Sequence, residues 1–306
     1  GKPIMNELLY GNIEGIKVDE DGKTVAGALI GLFRADETEF TADNALMTDL
    51  SDENGAFSFN DVVYGHWIIS EIEQPEGFIL SLEVHHVYIN SDDMTIEITM
   101  ENEHIKGNVQ LTKLDEDYPD NKLTGAEFKI YSDVNGDGKL DEGDTFVGTL
   151  AETEIGIYEL KDLYYGKYLC FESVAPVGFE LDTNVYAFEI KNHGETVMVE
   201  NEAGVGFLNK AQLGSLVISK TSEDGVLEGF EFVVEGVDFL GNEYSETFVT
   251  DAEGKITVNI RPGKYEVYEK DSENNVRYVL PEGQAVEIKA CEESQMDFVN
   301  ELKKGS

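Results

Sequence analysis

The sequence predicts an all-β chain of three tandem β-sandwich domains in a linear array. Short runs rich in Val, Ile, Thr, Tyr and Phe alternate apolar and polar side chains, and Gly, Asn and Asp turns punctuate them. No segment carries a sustained helical period with caps at its ends. The same order of elements recurs three times, with a period of roughly a hundred residues, which marks a repeat architecture.

Each copy opens on a strand that puts a lysine on its apolar face. Side chains alternate with a period of two along a strand. Val109, Leu111 and Lys113 therefore share a face, as do Leu216, Ile218 and Lys220, and, more weakly, Ile13, Gly15 and Lys17. A lysine on a core face is rare unless something satisfies it. An acidic turn follows: Asp19-Glu20-Asp21-Gly22, Asp115-Glu116-Asp117 and Ser222-Glu223-Asp224-Gly225. Next comes a glycine-led strand (Gly27 to Phe33, Gly125 to Tyr131, Gly229 to Val234), then an alternating strand behind a turn glycine (Gly55, Gly156, Gly254). A further glycine opens a strand that ends in glutamate: Gly65 to Glu71, Gly166 to Glu172, Gly263 to Glu269. Parity groups Trp67, Ile69 and Glu71, then Tyr168, Cys170 and Glu172, then Tyr265, Val267 and Glu269 on single faces. The last strand of each copy reaches an asparagine, with Ile98, Met100 and Asn102 on one face in the first copy and Met296, Phe298 and Asn300 in the third.

These landmarks divide the chain into a first sandwich over 11–104, a second over 105–210 with an inserted hairpin, and a third over 211–302. Residues 1–10 read as the tail or linker of a preceding repeat, since Asn6-Glu7-Leu8 resembles Asn300-Glu301-Leu302, and 303–306 read as a linker tail.

Each copy thus sends one lysine, one glutamate and one asparagine toward the same core. The glutamate-to-asparagine separation is 31 residues in the first and third copies, and 29 in the second if Asn201 is the partner. That near-constancy favours Asn201. Asn209 is the alternative, because it precedes the next lysine by 11 residues, as Asn102 does. Burial disfavours a charged amine and a charged carboxylate alike, while pairing opposes both effects. A neutral amine beside a proton-donating acid is a nucleophile, and the asparagine amide carbon is the electrophile within reach. The expected product is a Lys–Asn isopeptide bond, with ammonia leaving.

This order of elements, together with Gln74-Pro75-Glu76-Gly77-Phe78 and Ala175-Pro176-Val177-Gly178-Phe179 after the glutamate strands, resembles the B-type domains of Gram-positive collagen adhesins and pilins. The resemblance implies a reversed-immunoglobulin, prealbumin-like sandwich and self-formed isopeptide bonds. The implied triads are Lys17, Glu71, Asn102; Lys113, Glu172, Asn201 (or Asn209); and Lys220, Glu269, Asn300, with the glutamates as promoters. It further implies an extracellular, wall-anchored stalk whose partners are neighbouring repeats, with host matrix or glycan met through a tip domain. A module that itself binds matrix or glycan is the alternative. The third copy departs from the pattern, with Lys270 to Asn275 where the Pro-x-Gly-aromatic element would stand, and Gly15 replaces a leucine beside Lys17.

Residues 133–144 have the oxygen spacing of a twelve-residue calcium loop. Asp133, Asn135, Asp137, the Lys139 carbonyl, Asp141 and Asp144 fall at positions 1, 3, 5, 7, 9 and 12, with Gly138 at position 6. A calcium ion in the second domain is therefore an expectation, although Asp144 is shorter than the usual glutamate. No other cofactor is called for. Cys170 and Cys291 and the five histidines lack metal-ligand spacing, and no nucleophile elbow or phosphate loop occurs. A formal charge of −41 argues against nucleic acid and anionic membrane surfaces as partners. No apolar run approaches the length of a membrane span. The expected role is structural, with each glutamate acting once and no catalytic turnover.

Overall fold

The computed structural model describes residues 8–201, 204 and 206–304. The expectations for residues 1–7 and for 305–306 lie outside them. Among the described residues there are strands, turns and bridges and no helix. The first sandwich contains β1 (Tyr10–Asp19), β2 (Leu29–Arg34), β3 (Met47–Leu50), β4 (Ala56–Val63), β5 (Gly65–Glu73), β6 (Val84–Ile89) and β7 (Met94–Asn102). The second contains β8 (Lys106–Asp115), β9 (Glu127–Ser132), β10 (Thr145–Thr149), β11 (Ala151–Glu154), β12 (Ile157–Tyr164), β13 (Gly166–Val174), β14 (Val185–Ile190), β15 (Thr196–Met198) and β16 (Phe207–Asn209). The third contains β17 (Gly214–Ser222), β18 (Glu231–Asp238), β19 (Glu243–Val249), β20 (Lys255–Ile260), β21 (Gly263–Glu269), β22 (Tyr278–Val279), β23 (Gln284–Ile288) and β24 (Glu293–Leu302).

Each domain is two sheets packed face to face. One sheet carries the lysine strand: β4-β1-β7, β11-β12-β8-β15 with β16 also on β8, and β20-β17-β24-β22. The other carries the glutamate strand: β3-β2-β5-β6, β10-β9-β13-β14 and β19-β18-β21-β23. Within the first sheet the opening strand lies parallel to the closing one. The two ends of every domain are therefore neighbouring strands in one sheet.

Strict alternation drives the burial. Along β8 every second residue is buried, through Gly107, Val109, Leu111, Lys113 and Asp115. The inner faces meet in three separate cores, for example Ile13, Ile30, Phe59, Ile69 and Met100 in the first domain. Burying such side chains stabilises each domain by about 1.5–3 kcal/mol apiece. Gly15 does not leave a gap beside Lys17. A Cβ there would lie 2.0 Å from Phe57 Cζ, so the phenyl ring of its strand partner occupies the space a leucine would fill.

Candidate functional site

The three lysines are among the most deeply buried side chains of the chain, at 0%, 0% and 1% exposure for Lys17, Lys113 and Lys220. Parity puts them inward, and the parallel partner strand fixes what they meet. Asp19 pairs with Asn102, Asp115 with Asn209, and Ser222 with Asn300, so each asparagine stands opposite the residue two beyond its lysine. Residues two apart on a strand share a face, which brings lysine and asparagine together. The glutamate arrives from the facing sheet, on β5, β13 and β21, and each is buried.

In the first domain Asn102 Nδ2 donates to both Glu71 oxygens, at 3.2 and 2.9 Å, and to the Ile79 carbonyl at 2.7 Å. Lys17 Nζ lies 3.5 Å from Glu71 Oε2, which also accepts from the Ser81 amide at 2.9 Å. Asn102 Oδ1 is buried with no hydrogen-bond donor. A buried, unpaired acceptor is costly, and here it belongs to the carbonyl whose carbon an amine would attack.

In the second domain the structure brings the alternative asparagine, Asn209, to Lys113 and Glu172. Asn209 Nδ2 donates to Glu172 Oε1 and Oε2 at 3.0 and 2.9 Å, and Lys113 Nζ donates to Asn209 Oδ1 in a short contact. Lys113 Nζ also lies 3.4 Å from Glu172 Oε1 and donates to the Phe207 carbonyl at 3.3 Å. The Asn201 backbone carbonyl accepts from the Gly204 amide at 2.9 Å. Additional residues in the sequence between β15 and β16 make the glutamate-to-asparagine separation 37 here against 31 in the other two domains. The 11-residue spacing to the next lysine, counted across the linker, is the sequence signal that points to Asn209.

In the third domain Asn300 Nδ2 donates to Glu269 Oε1 at 2.9 Å, but Lys220 Nζ donates to the Thr221 carbonyl at 2.6 Å and lies over the Phe230 ring at 4.3 Å. Asn275, which sequence reasoning did not single out, also donates to Glu269 Oε1, at 3.1 Å. It lies in the Lys270 to Asn275 stretch that replaces the Pro-x-Gly-aromatic element. Glu269 Oε2 and Asn300 Oδ1 are buried with no hydrogen-bond partner.

Burial lowers the pKa of all three lysines, and the nearby glutamates only partly offset it. The neutral, nucleophilic amine is favoured accordingly.

The 133–144 loop closes on itself. Asp133 accepts from the Gly136 and Gly138 amides, at 2.7 and 3.0 Å, and Asp144 accepts from the Val134 and Asp141 amides, at 3.1 and 2.9 Å. Asn135 Nδ2 donates to Asp141 at 2.8 Å, while Asp137 caps the Lys139 amide at 2.9 Å. Among the described residues no group of three or more His, Cys, Asp or Glu side chains is arranged to hold a metal ion.

The joints between domains use the element that follows each glutamate strand. In the first joint the Gly77 carbonyl accepts from Ile105, Ile79 donates to Glu103, and Phe78 packs on His104 in a tilted pair with ring centroids 4.2 Å apart. In the second the Gly178 carbonyl accepts from Gln212, Glu180 donates to Lys210, and Phe179 packs on Phe239 at 5.6 Å.

A family model described as SpaA, prealbumin-like fold domain, matches residues 11–104, 107–203 and 214–302. The second match stops short of Asn209. Among solved structures, the TIE protein of Bacillus anthracis superposes with a TM-score of 0.70 at 25% identity, over 96% of this chain and 51% of that one. This chain thus spans about half the length of that relative. BcpA, the major pilin subunit of Bacillus cereus, is similar at 15% identity and a TM-score of 0.42, over 96% of this chain and 99% of that one. SpaD, a major pilin of Corynebacterium diphtheriae, is similar at 14% identity and a TM-score of 0.29, over 95% and 97% of the two chains. No curated protein sequence matches.

Proposed function

The chain belongs to the SpaA prealbumin-like fold domain family in all three of its domains, and from that premise we propose that it is a structural segment of a Gram-positive surface stalk or pilus whose domains each lock themselves with a Lys–Asn isopeptide bond. The pairs are Lys17–Asn102, Lys113–Asn209 and Lys220–Asn300, promoted by Glu71, Glu172 and Glu269. The observation that carries the reading is the repeated burial of all three side-chain types at one strand register.

Lysine Nζ, whose pKa burial lowers, attacks asparagine Cγ in its neutral form. The new Nζ–Cγ bond forms as the Cγ–Nδ2 bond breaks. The glutamate, bonded to Nδ2, takes a proton from the amine and passes it to the departing nitrogen, which leaves as ammonia. The carboxyl group returns to its starting state, so each site acts once. Because the opening and closing strands are neighbours in one sheet, the bond joins the two ends of a domain. Pulling force then runs through covalent bonds rather than through the ladder of hydrogen bonds.

Proteolysis under denaturing conditions, followed by mass mapping, tests the pairing. Three branched peptides are expected, one for each pair. Glu172→Ala is expected to abolish the Lys113–Asn209 peptide and leave the other two. Three unbranched lysine peptides in the parent chain would refute the reading.

Calcium binding by residues 133–144 is a separate proposal, supported by the oxygen spacing and by the acidity of the loop. Calorimetric titration with calcium chloride is expected to give one site, lost in Asp133→Ala. An uptake of heat indistinguishable between the two proteins would reject it.

A further inference from the structure

The second domain differs from its neighbours in how its asparagine strand is held. In the first and third domains the closing strand pairs with the opening one over nine and eight residues. In the second that ladder is split into two runs of three, Thr196–Met198 and Phe207–Asn209. Asn209 is the last residue of the second run, so three strand pairs, rather than an unbroken eight or nine, hold its backbone in register with β8.

A further hold on that register comes from the next domain. Asn209 stands opposite Asp115, and its backbone carbonyl accepts from the Glu116 amide at 3.0 Å, as the Asn300 backbone carbonyl does from Glu223. The Asp115 carboxylate is fully buried and is gripped by Arg261 of the third domain, with Nη2–Oδ2 at 2.6 Å and Nη1–Oδ1 at 3.1 Å. The same guanidinium lies 3.1 Å from Asp238 and 3.5 Å from Asp117, and over the rings of Tyr118, Phe239 and Phe179 at 5.0, 5.5 and 5.7 Å. At the matching place in the first domain, Asp19 accepts from the Asp21 and Lys23 amides of its own turn, while Asp115 accepts from the Asp117 amide at 3.0 Å and from Arg261. The third domain has Ser222 there. Three carboxylates therefore converge on one cation at the end of the strand that aligns Asn209.

We propose that Arg261 is a positioning residue for the Lys113–Asn209 bond, so that docking of the third domain completes the cross-linking site of the second. This rests on the isopeptide reading above. Without the guanidinium, Asp115 keeps the Asp117 amide but is a buried carboxylate with no cation among Asp117 and Asp238, and repulsion drives the end of β8 away from its register with Asn209. Attack needs the amine and the amide carbon held in a near-attack geometry, and small losses of alignment cost large factors in rate.

The full chain offers its own controls. It is synthesised in a cell-free system and quenched in denaturant at intervals, and the three branched peptides are quantified in each sample. Alkylation before quenching reports folding of the second domain, because Cys170 is buried and Cys291 is exposed. Arg261→Ala is expected to slow the Lys113–Asn209 peptide at least tenfold relative to the other two, with Cys170 still protected. Arg261→Lys is expected to recover part of that rate, since it restores a cation without the bidentate fork. Formation of Lys113–Asn209 at the parent rate in Arg261→Ala would overturn the proposal. So would equal slowing of all three bonds, or loss of Cys170 protection, either of which makes Arg261 a general folding residue. Absence of every branched peptide from the parent chain would instead remove the isopeptide reading itself.

Discussion

Lysine on a core face was the residue-level anomaly that exposed the site, and its meaning lay in parity. An amine at an inward position in three equivalent strands could be read from the sequence, as could the inward glutamates. The asparagine of the second domain was legible only as one of two, Asn201 or Asn209, because additional residues alter counts without altering which strand positions face each other. Asn209→Ala is therefore expected to restore one ammonia to the mass of the chain, and Asn201→Ala to leave the mass loss unchanged apart from the substitution. The third site is arranged less closely, with Lys220 turned to the Thr221 carbonyl and Asn275 sharing Glu269. Lys220–Asn300 is expected to form last of the three in a quenched time course. Its appearance before both others would contradict this ordering. Asn275 and Arg261 carried no periodic or motif signal, since both act through contacts that only the folded chain creates.

At the scale of elements, the turn after each of the first two glutamate strands joins the site to the joint. Its sequence was visible, but its role was not, because nothing local says that a turn will hold the next domain. Gly178 has a φ of +86°, and a Cβ there would lie 2.9 Å from Phe239 Cε2. Gly178→Ala is expected to cost about 1–2 kcal/mol from the left-handed backbone alone and to open the linker near Gln212 to proteolysis. Unchanged cleavage would show that the turn is not the clasp. The first joint is built on charge: Glu20 lies 2.7 Å from Lys106 Nζ and 2.8 Å from His104 Nδ1. Burial works against ionisation there, but hydrogen bonds from Lys106, its own amide and His104 hold the carboxyl down to about 2. A carboxylate with a depressed pKa lends stability above its unfolded value and loses it as pH falls toward its folded value. This joint is expected to hold near neutrality and loosen between about pH 4.5 and 2, read as a change in inter-domain distance by fluorescence transfer. Glu20→Gln should remove that step.

Over the whole molecule, the formal charge of −41 keeps neighbouring chains apart and favours an extended array. Its acidity was legible at once, as were the all-β class and the threefold repeat, since both follow from local alternation and punctuation. Each proposed bond closes a long loop: 102 − 17 = 85 residues in the first domain. On the chain-entropy account used for disulfides, such a closure contributes about 4–5 kcal/mol. Asn102→Ala is expected to lower the stability of the first domain by an amount of that order in denaturant titration. The central claim, covalent locking of every domain, is tested most directly by the intact mass of the chain in denaturing solvent. The expected result is a deficit of three ammonia molecules against the mass calculated from the sequence. A mass equal to the calculated one would contradict it.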